Sequence, residues 1–228
     1  MTESVDTAKQ ENERVVLPYN IEGEFYIETV EVKNKPVYRF FKRLFDIIVS
    51  FLMLLVFLVP MIIIGILVKA TSKGPILYFQ TRLGLHGKTF RIIKFRSMYI
   101  DAEKDGAQWS GGEQDQRITK VGSFLRKTRL DELPQLFCIL IGSMSFVGPR
   151  PEREVFYDAF ETYIHGFRER LKIKPGLTGL AQVSGGYNLK PEEKIVYDIE
   201  YIRRRSLWLD FKILCRTVGV VFRCSGAK

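Results

Sequence analysis

The chain has 228 residues, a formal charge of +9 and 46% hydrophobic residues. That length fits one domain with an appended tail, and the basic balance suits phosphorylated substrates, anionic lipid headgroups or nucleic acid. No DNA- or RNA-binding motif is present, which argues against nucleic acid, and three scattered cysteines, Cys138, Cys215 and Cys224, support neither a disulfide framework nor a thiolate metal site.

In chain order, residues 1–35 are polar and charge-rich without an early apolar core. They read as a flexible tail rather than a signal sequence, although Phe25, Ile27 and Val30 suit a short strand. Residues 47–68 carry no charge, and Ser50 is their one polar side chain. As a straight helix these about 22 residues would extend roughly 33 Å, enough for a bilayer core. Two features argue for a re-entrant hairpin instead. Pro60 removes a backbone hydrogen bond and bends the helix, leaving a first arm of about 13 residues, too short to cross. Basic residues, which favour the cytoplasmic side, flank both ends: Lys42 and Arg43 before, Lys69 and Lys73 after.

Beyond the apolar segment, two β-rich runs around Gly84–Gly87 predict an antiparallel hairpin. Residues 101–116 are polar and glycine-bearing, suggesting a mobile loop. Helical patterning runs on either side of Asp131-Glu132 between Arg117 and Ile141, and covers Phe156 to Leu171 and Pro191 to Arg205, with a glycine-rich linker from Lys174 to Gly186. The apolar residues Leu207, Trp208, Phe211, Leu214, Cys215, Val218 and Phe222 suit a core helix or one lying on a membrane surface. The expected fold class is α+β, mostly helical, with residues 36–228 as one domain and 75–228 as its cytosolic body.

Asp131-Glu132 sits among fixed cations. An adjacent carboxylate pair beside Arg and Lys suits phosphate chemistry: the cations accept phosphate charge, and a carboxylate can attack phosphorus or hold a metal. Taken alone, acidic residues ahead of a helix are equally ordinary complements to its dipole.

Five motifs in order change that balance. They are Lys94-Phe95-Arg96-Ser97-Met98, Leu125-Arg126-Lys127-Thr128, Leu130-Asp131-Glu132-Leu133-Pro134-Gln135, Met144-Ser145-Phe146-Val147-Gly148-Pro149-Arg150-Pro151 and Lys174-Pro175-Gly176-Leu177-Thr178-Gly179-Leu180-Ala181-Gln182. Together they resemble the bacterial sugar transferases, the monotopic polyprenyl-phosphate phosphoglycosyl transferases. The resemblance implies an enzyme that moves a sugar-1-phosphate from a UDP-sugar to polyprenyl (undecaprenyl) phosphate, releasing UMP. It would be the initiating step of exopolysaccharide, capsule or other glycoconjugate synthesis, at the cytoplasmic face of the bacterial inner membrane. By the same resemblance Asp131 is the nucleophile, and Glu132 positions it and shares a magnesium ion (Mg2+) with it. Lys94, Arg126 and Arg150 bind substrate phosphate, Gln182 approaches the nucleotide, and Pro60 marks the bend of the membrane hairpin. Val59, Cys138, Ile141, Ser143 and Leu180 depart from the usual pattern without touching the carboxylate pair. The competing readings are a basic, non-catalytic membrane module binding anionic lipid, and a membrane phosphatase with an aspartyl-phosphate intermediate. The phosphatase reading lacks the Asp-x-Asp start that follows a strand.

Overall fold

A computed structural model describes residues 23–102, 104, 115–185 and 189–222, with the side chains of 221 and 222 excepted. Residues 1–22 of the expected tail, most of the 101–116 loop and Cys224 lie outside that range. The apolar segment forms two helices, α1 (Pro36–Val56) and α2 (Leu58–Thr71), bent by 61°. Neither is long and apolar enough to cross a membrane alone, while the pair passes that test together. The expected break at Pro60 falls instead at Phe57. Proline at 60 cannot donate to Val56 O, and its ring crowds that carbonyl, so α1 must end before it. Phe57 N donates to Met53 O at 2.8 Å to close α1, and Met61 N donates to Phe57 O at 2.8 Å to restart the helix. Pro60 therefore sits in the first turn of α2, where its missing N–H costs nothing.

Leu44, Ile48, Phe51, Leu52, Val59 and Ile63, among others on this pair, are exposed. A surface this apolar on consecutive helices marks an interaction face rather than a water-facing one.

The body begins with β2 (Leu77–Leu83) and β3 (Thr89–Phe95), paired antiparallel from Leu77↔Phe95 to Leu83↔Thr89. His86, at φ 57°, and Gly87, at φ 73°, turn the chain between them. Next come α3 (Lys120–Thr128), α4 (Gln135–Ile141) and β4 (Ser145–Val147), followed by α5 (Glu154–Glu161) and β5 (Ile164–His165). The remainder is β6 (Gly176–Thr178), α6 (Leu180–Ser184), α7 (Pro191–Arg204) and α8 (Leu207–Phe222). Two parallel strand pairs stitch distant parts together: β4 with β6, and β1 (Phe25–Tyr26) with β5.

The helical patterning expected on either side of Asp131-Glu132 corresponds to α3 and α4, which part at Arg129. One expected helix is interrupted: Phe156–Leu171 stops at Glu161. Gly166 then adopts φ 93°, which no helix continues through, before a short 3-10 turn over Phe167–Lys172. Residues 23–35 lie along the body: Val30 is buried, its N–H donates to Glu169 Oε2 at 2.6 Å, and Lys172 Nζ donates to its carbonyl at 3.0 Å.

Three apolar clusters form the core. One gathers Phe156, Phe160, Phe167, Ile195 and Ile202; a second joins α4 and β4 to Tyr201 and Ile213 of α7 and α8; a third, with Ile64, Val68, Phe95 and Leu125, seats α2 on the hairpin and α3. In α8, Ile213 is buried while Leu207, Trp208, Phe211 and Val218 are exposed, so much of the apolar stripe faces outward.

Candidate active site

The helix carrying Arg126 ends unusually. Thr119 caps its start by accepting from Gly122 N at 2.9 Å, and the far end stops at Arg129, held at φ 57°. That left-handed conformation is costly for a side chain larger than glycine and reverses the chain sharply. The reversal makes a single 3-10 turn, Leu130–Glu132, that delivers Asp131 and Glu132 just before Pro134 starts α4. Both carboxylates are 7% exposed, far below what an unpartnered surface pair shows.

Cations from two other elements converge on Glu132. Lys94 Nζ, from the end of β3, lies 2.8 Å from Glu132 Oε1, and Arg150 Nη2, just past β4, lies 2.5 Å from the same oxygen. Burial alone would raise the Glu132 carboxyl, but Arg150 and Lys94 override it and hold the group well below the usual carboxylate range. Asp131 is left different. Burial, helped by the neighbouring Glu132 charge, pushes it up to about 6 against the pull of Lys94, Arg126 and Arg150. Two adjacent carboxylates thus hold distinct electrostatic positions, one tied into an ion-pair cluster and the other raised into the range useful for chemistry.

The pair opens into a cleft of about 480 Å³. Its wall includes Lys94, Arg126, Arg129, Arg150 and Arg153, so the cleft is built for an anion. Tyr78 and Gln80 of β2 line another part of it. Lys94, Arg126, Arg150, Asp131 and Glu132 are therefore gathered at one place. Gln182 is not among the residues lining this cleft. Its amide Nε2 donates to Leu177 O at 3.0 Å, and the side chain borders a smaller adjoining pocket shared with Arg129, Arg150 and Lys194.

The residues flanking the apolar segment have protein partners. Lys42 Nζ lies 2.8 Å from Asp210 Oδ2, and Arg43 donates to Ile139 O and Leu140 O, both at 2.7 Å. Those carbonyls end α4, where a cation satisfies orphan acceptors and the helix dipole together. Sequence reading missed several supporting groups. Arg170 is buried, pairs with Asp198 at 2.6 Å and donates to Arg150 O at 3.0 Å. Gly122 lets α3 touch Ser97, since a Cβ there would meet Ser97 O at 1.9 Å. Asp46 is buried in α1 against β4. A charged residue beside an apolar run was the one available signal for Asp46.

Among the described residues, no group of three His, Cys, Asp or Glu side chains is placed to hold a metal ion. Asp131 and Glu132 are two adjacent carboxylates, one already paired with two cations. Such a set fits an ion held largely by substrate phosphates and water, as Mg2+ commonly is, and not a protein-caged one.

The family described as Bacterial sugar transferase matches residues 37–224. A UDP-glucose:undecaprenyl-phosphate glucose-1-phosphate transferase of Klebsiella pneumoniae is 47% identical over 183 residues, covering 78% of this chain and 39% of its own length. A UDP-N-acetylgalactosamine-undecaprenyl-phosphate N-acetylgalactosaminephosphotransferase of Aeromonas hydrophila is 40% identical over 196 residues, covering 85% of this chain and 46% of itself. An undecaprenyl-phosphate galactose phosphotransferase of Salmonella typhimurium is 40% identical over 203 residues, with 83% and 42% covered. The chain spans less than half the length of these relatives. With the matched region running from the first turn of α1 to beyond α8, the chain belongs to the bacterial sugar transferase family.

Proposed function

We propose that the protein is a phosphoglycosyl transferase that moves a sugar-1-phosphate from a UDP-sugar to polyprenyl (undecaprenyl) phosphate and releases UMP. The observation that carries this reading is the buried Asp131-Glu132 pair opening into a basic cleft, in a chain with a bent, outward-facing apolar helix pair. The named relatives act on UDP-sugars or undecaprenyl phosphate, which supports the same substrate classes here.

In the first step an Asp131 carboxylate oxygen forms a bond to the sugar-linked phosphorus. The bond from that phosphorus to the bridging oxygen breaks, and UMP departs with the electron pair. In the second step a polyprenyl phosphate oxygen attacks the same phosphorus and Asp131 leaves as a free carboxylate. Lys94, Arg126 and Arg150 neutralise charge on the transferring phosphoryl group, and Glu132 holds two of these cations in place. Mg2+, held by Asp131 and Glu132 with the diphosphate, would supply further neutralisation of the departing phosphate.

The geometry of the lipid substrate suits the same reading. A polyprenyl chain stays in the bilayer with its phosphate at headgroup level. A hairpin entering and leaving one leaflet brings the basic cleft to that phosphate without moving the lipid. The body then lies at the cytoplasmic face of the bacterial inner membrane, where UDP-sugars are made, at the start of an exopolysaccharide, capsule or related glycan. The test is UMP release by purified protein with a panel of UDP-sugars, undecaprenyl phosphate and Mg2+. Asp131→Asn should abolish release; a retained rate would sink the assignment of Asp131 as nucleophile, and no release by the wild-type chain would favour a lipid-binding module over an enzyme.

A further inference from the structure

The first three turns of α1 carry a polar stripe whose partners are the limbs of the active site. Tyr38, Lys42 and Asp46 recur at helical spacing, with Arg43 beside them. Tyr38 and Lys42 both donate to Asp210 Oδ2, at 2.9 and 2.8 Å; Tyr201 donates its one hydroxyl proton to Asp210 Oδ1 at 2.7 Å, and that hydroxyl lies 3.3 Å from Val147 O. Arg43 closes the end of α4 that lies opposite the Asp131-Glu132 turn. Asp46 reaches β4: its Oδ1 accepts from Phe146 N at 3.1 Å and from Ser145 Oγ at 3.2 Å.

The strand needs this acceptor. β4 pairs with β6 through Ser145 and Val147, so the Phe146 N–H points to the other side, away from the ladder. A buried N–H without a partner is destabilising, and Asp46 is the group that meets it. Four residues after Phe146 comes Arg150, which crosses the cleft to Glu132. One helix thus grips the end of α4 and the start of the strand leading to Arg150. The turn carrying Glu132 and the turn carrying Arg150 are referred to a common frame.

We propose that Asp46 is a positioning residue for the transfer: by holding β4 against the membrane-proximal helix, it fixes the reach of the Arg150 guanidinium to Glu132. This rests on the phosphoglycosyl transfer reading above. Asp46 touches no reacting group and acts through Arg150.

The test uses the full chain in lipid nanodiscs and four variants: Asp46→Leu, Asp46→Asn, Arg150→Lys and the Asp46→Leu/Arg150→Lys double. Asp46→Leu should lower kcat for UMP release about tenfold or more while the UDP-sugar KM moves less than about twofold, because a misplaced cation loses transition-state rather than ground-state contact. Asp46→Asn keeps an acceptor oxygen for Phe146 N–H and should recover most of that loss. The double variant should be within about threefold of Arg150→Lys alone, since two changes on one path are not additive. Hydrogen exchange supplies a readout independent of catalysis: residues 143–150 should lose protection in Asp46→Leu while α7 keeps it. Multiplying effects in the double variant would overturn the proposal, as would an unaltered kcat or an Asp46→Asn variant as poor as Asp46→Leu. If the wild-type chain releases no UMP from any UDP-sugar, the transferase reading fails. The exchange measurement then decides the clamp: unchanged protection of 143–150 sinks it, and selective loss sustains it.

Discussion

Arg150 and Glu132 meet across the cleft, Nη2 to Oε1 at 2.5 Å, although one follows β4 and the other precedes α4. The pair closes a small loop of structure: turn, α4, β4, turn. Lys94 shares the same oxygen at 2.8 Å, so Glu132 serves as the anchor on which two cations from different elements are set. Asp131, one residue away, lines the same cleft and is the carboxylate proposed to meet substrate.

Glu132→Gln preserves shape and removes the anchor's charge. Lys94 and Arg150 then lose the partner that fixes them, and electrostatic stabilisation by misplaced donors is weak. The expected outcome is a loss of about 10²–10³ in kcat, with a smaller effect on the UDP-sugar KM, in UMP-release assays. A kcat within about threefold of wild type would show that the cations need no anchor.

Asp131 makes a trade between stability and chemistry. Its folded value, pushed to about 6 chiefly by burial, lies above the ordinary 3.8. Ionising it therefore opposes folding: the cost is absent below the unfolded value, grows as pH rises through about 6, and is complete above it. A raised shift of that size corresponds to at most about 3 kcal/mol. Without substrate or metal, Asp131→Asn should melt higher than wild type at pH 7.5, and most of that difference should be gone near pH 4, where the folded Asp131 is neutral. Equal midpoints at both pH values would contradict the placement of a desolvated carboxylate here.

The parts of this site that share a local motif were legible in the sequence. Asp131 and Glu132 stand out as an adjacent carboxylate pair among cations, while Lys94, Arg126 and Arg150 are singled out by the resemblance of their motifs to the bacterial sugar transferases, and the structure gathers all five around one cleft. The clamp on α1 was not legible, because Arg43 finds its acceptors 96 and 97 residues away and Asp46 finds its donors 99 and 100 residues away. Nothing local distinguishes a basic residue that meets headgroups from one that caps a distant helix. The break at Phe57 rather than Pro60 has a different cause. Proline disrupts the turn before itself, so sequence reading that places the bend on the ring is late by about one turn. Gln182 was drawn in by its motif; its Nε2 donates to Leu177 O, and it lines the smaller pocket, which shares Arg129 and Arg150 with the cleft.

Pro60→Ala restores the N–H that Val56 O lacks and permits α1 and α2 to merge. The combined run, Pro36 to Thr71, is long enough to cross a bilayer. Yet α2 is seated on the body, with Val68 buried beside Phe95 and Leu125, so a straight helix pulls that packing apart. Tags at residues 1 and 228 should report one membrane face in the wild-type chain. In the variant a fraction of molecules should report opposite faces, with UMP release falling in proportion. Opposite faces in the wild type would exclude the re-entrant arrangement.

Gly148 tests whether the Arg150 turn tolerates displacement. It crosses the β6 segment so closely that a Cβ would lie 2.4 Å from Lys174 O and 2.9 Å from Gly176 N. The crossing is locked by two hydrogen bonds, Gly148 N to Thr178 O and Gly176 N to Pro149 O, each 2.9 Å. These contacts are backbone on both sides, so no side chain can rotate away to make room. Gly148→Ala should therefore destabilise by about 1–3 kcal/mol, as overpacked sites do. It should also lower kcat beyond what lost folding explains, because Pro149 and Arg150 must move with the strand. Gly219→Ala is the control: in α8 its Cβ meets nothing within 4 Å, and exchanging glycine for alanine inside a helix is stabilising by up to about 1 kcal/mol. Thermal midpoints and UMP-release rates of both variants separate the two effects. Were Gly148→Ala to keep full kcat per folded molecule, the turn would not set Arg150.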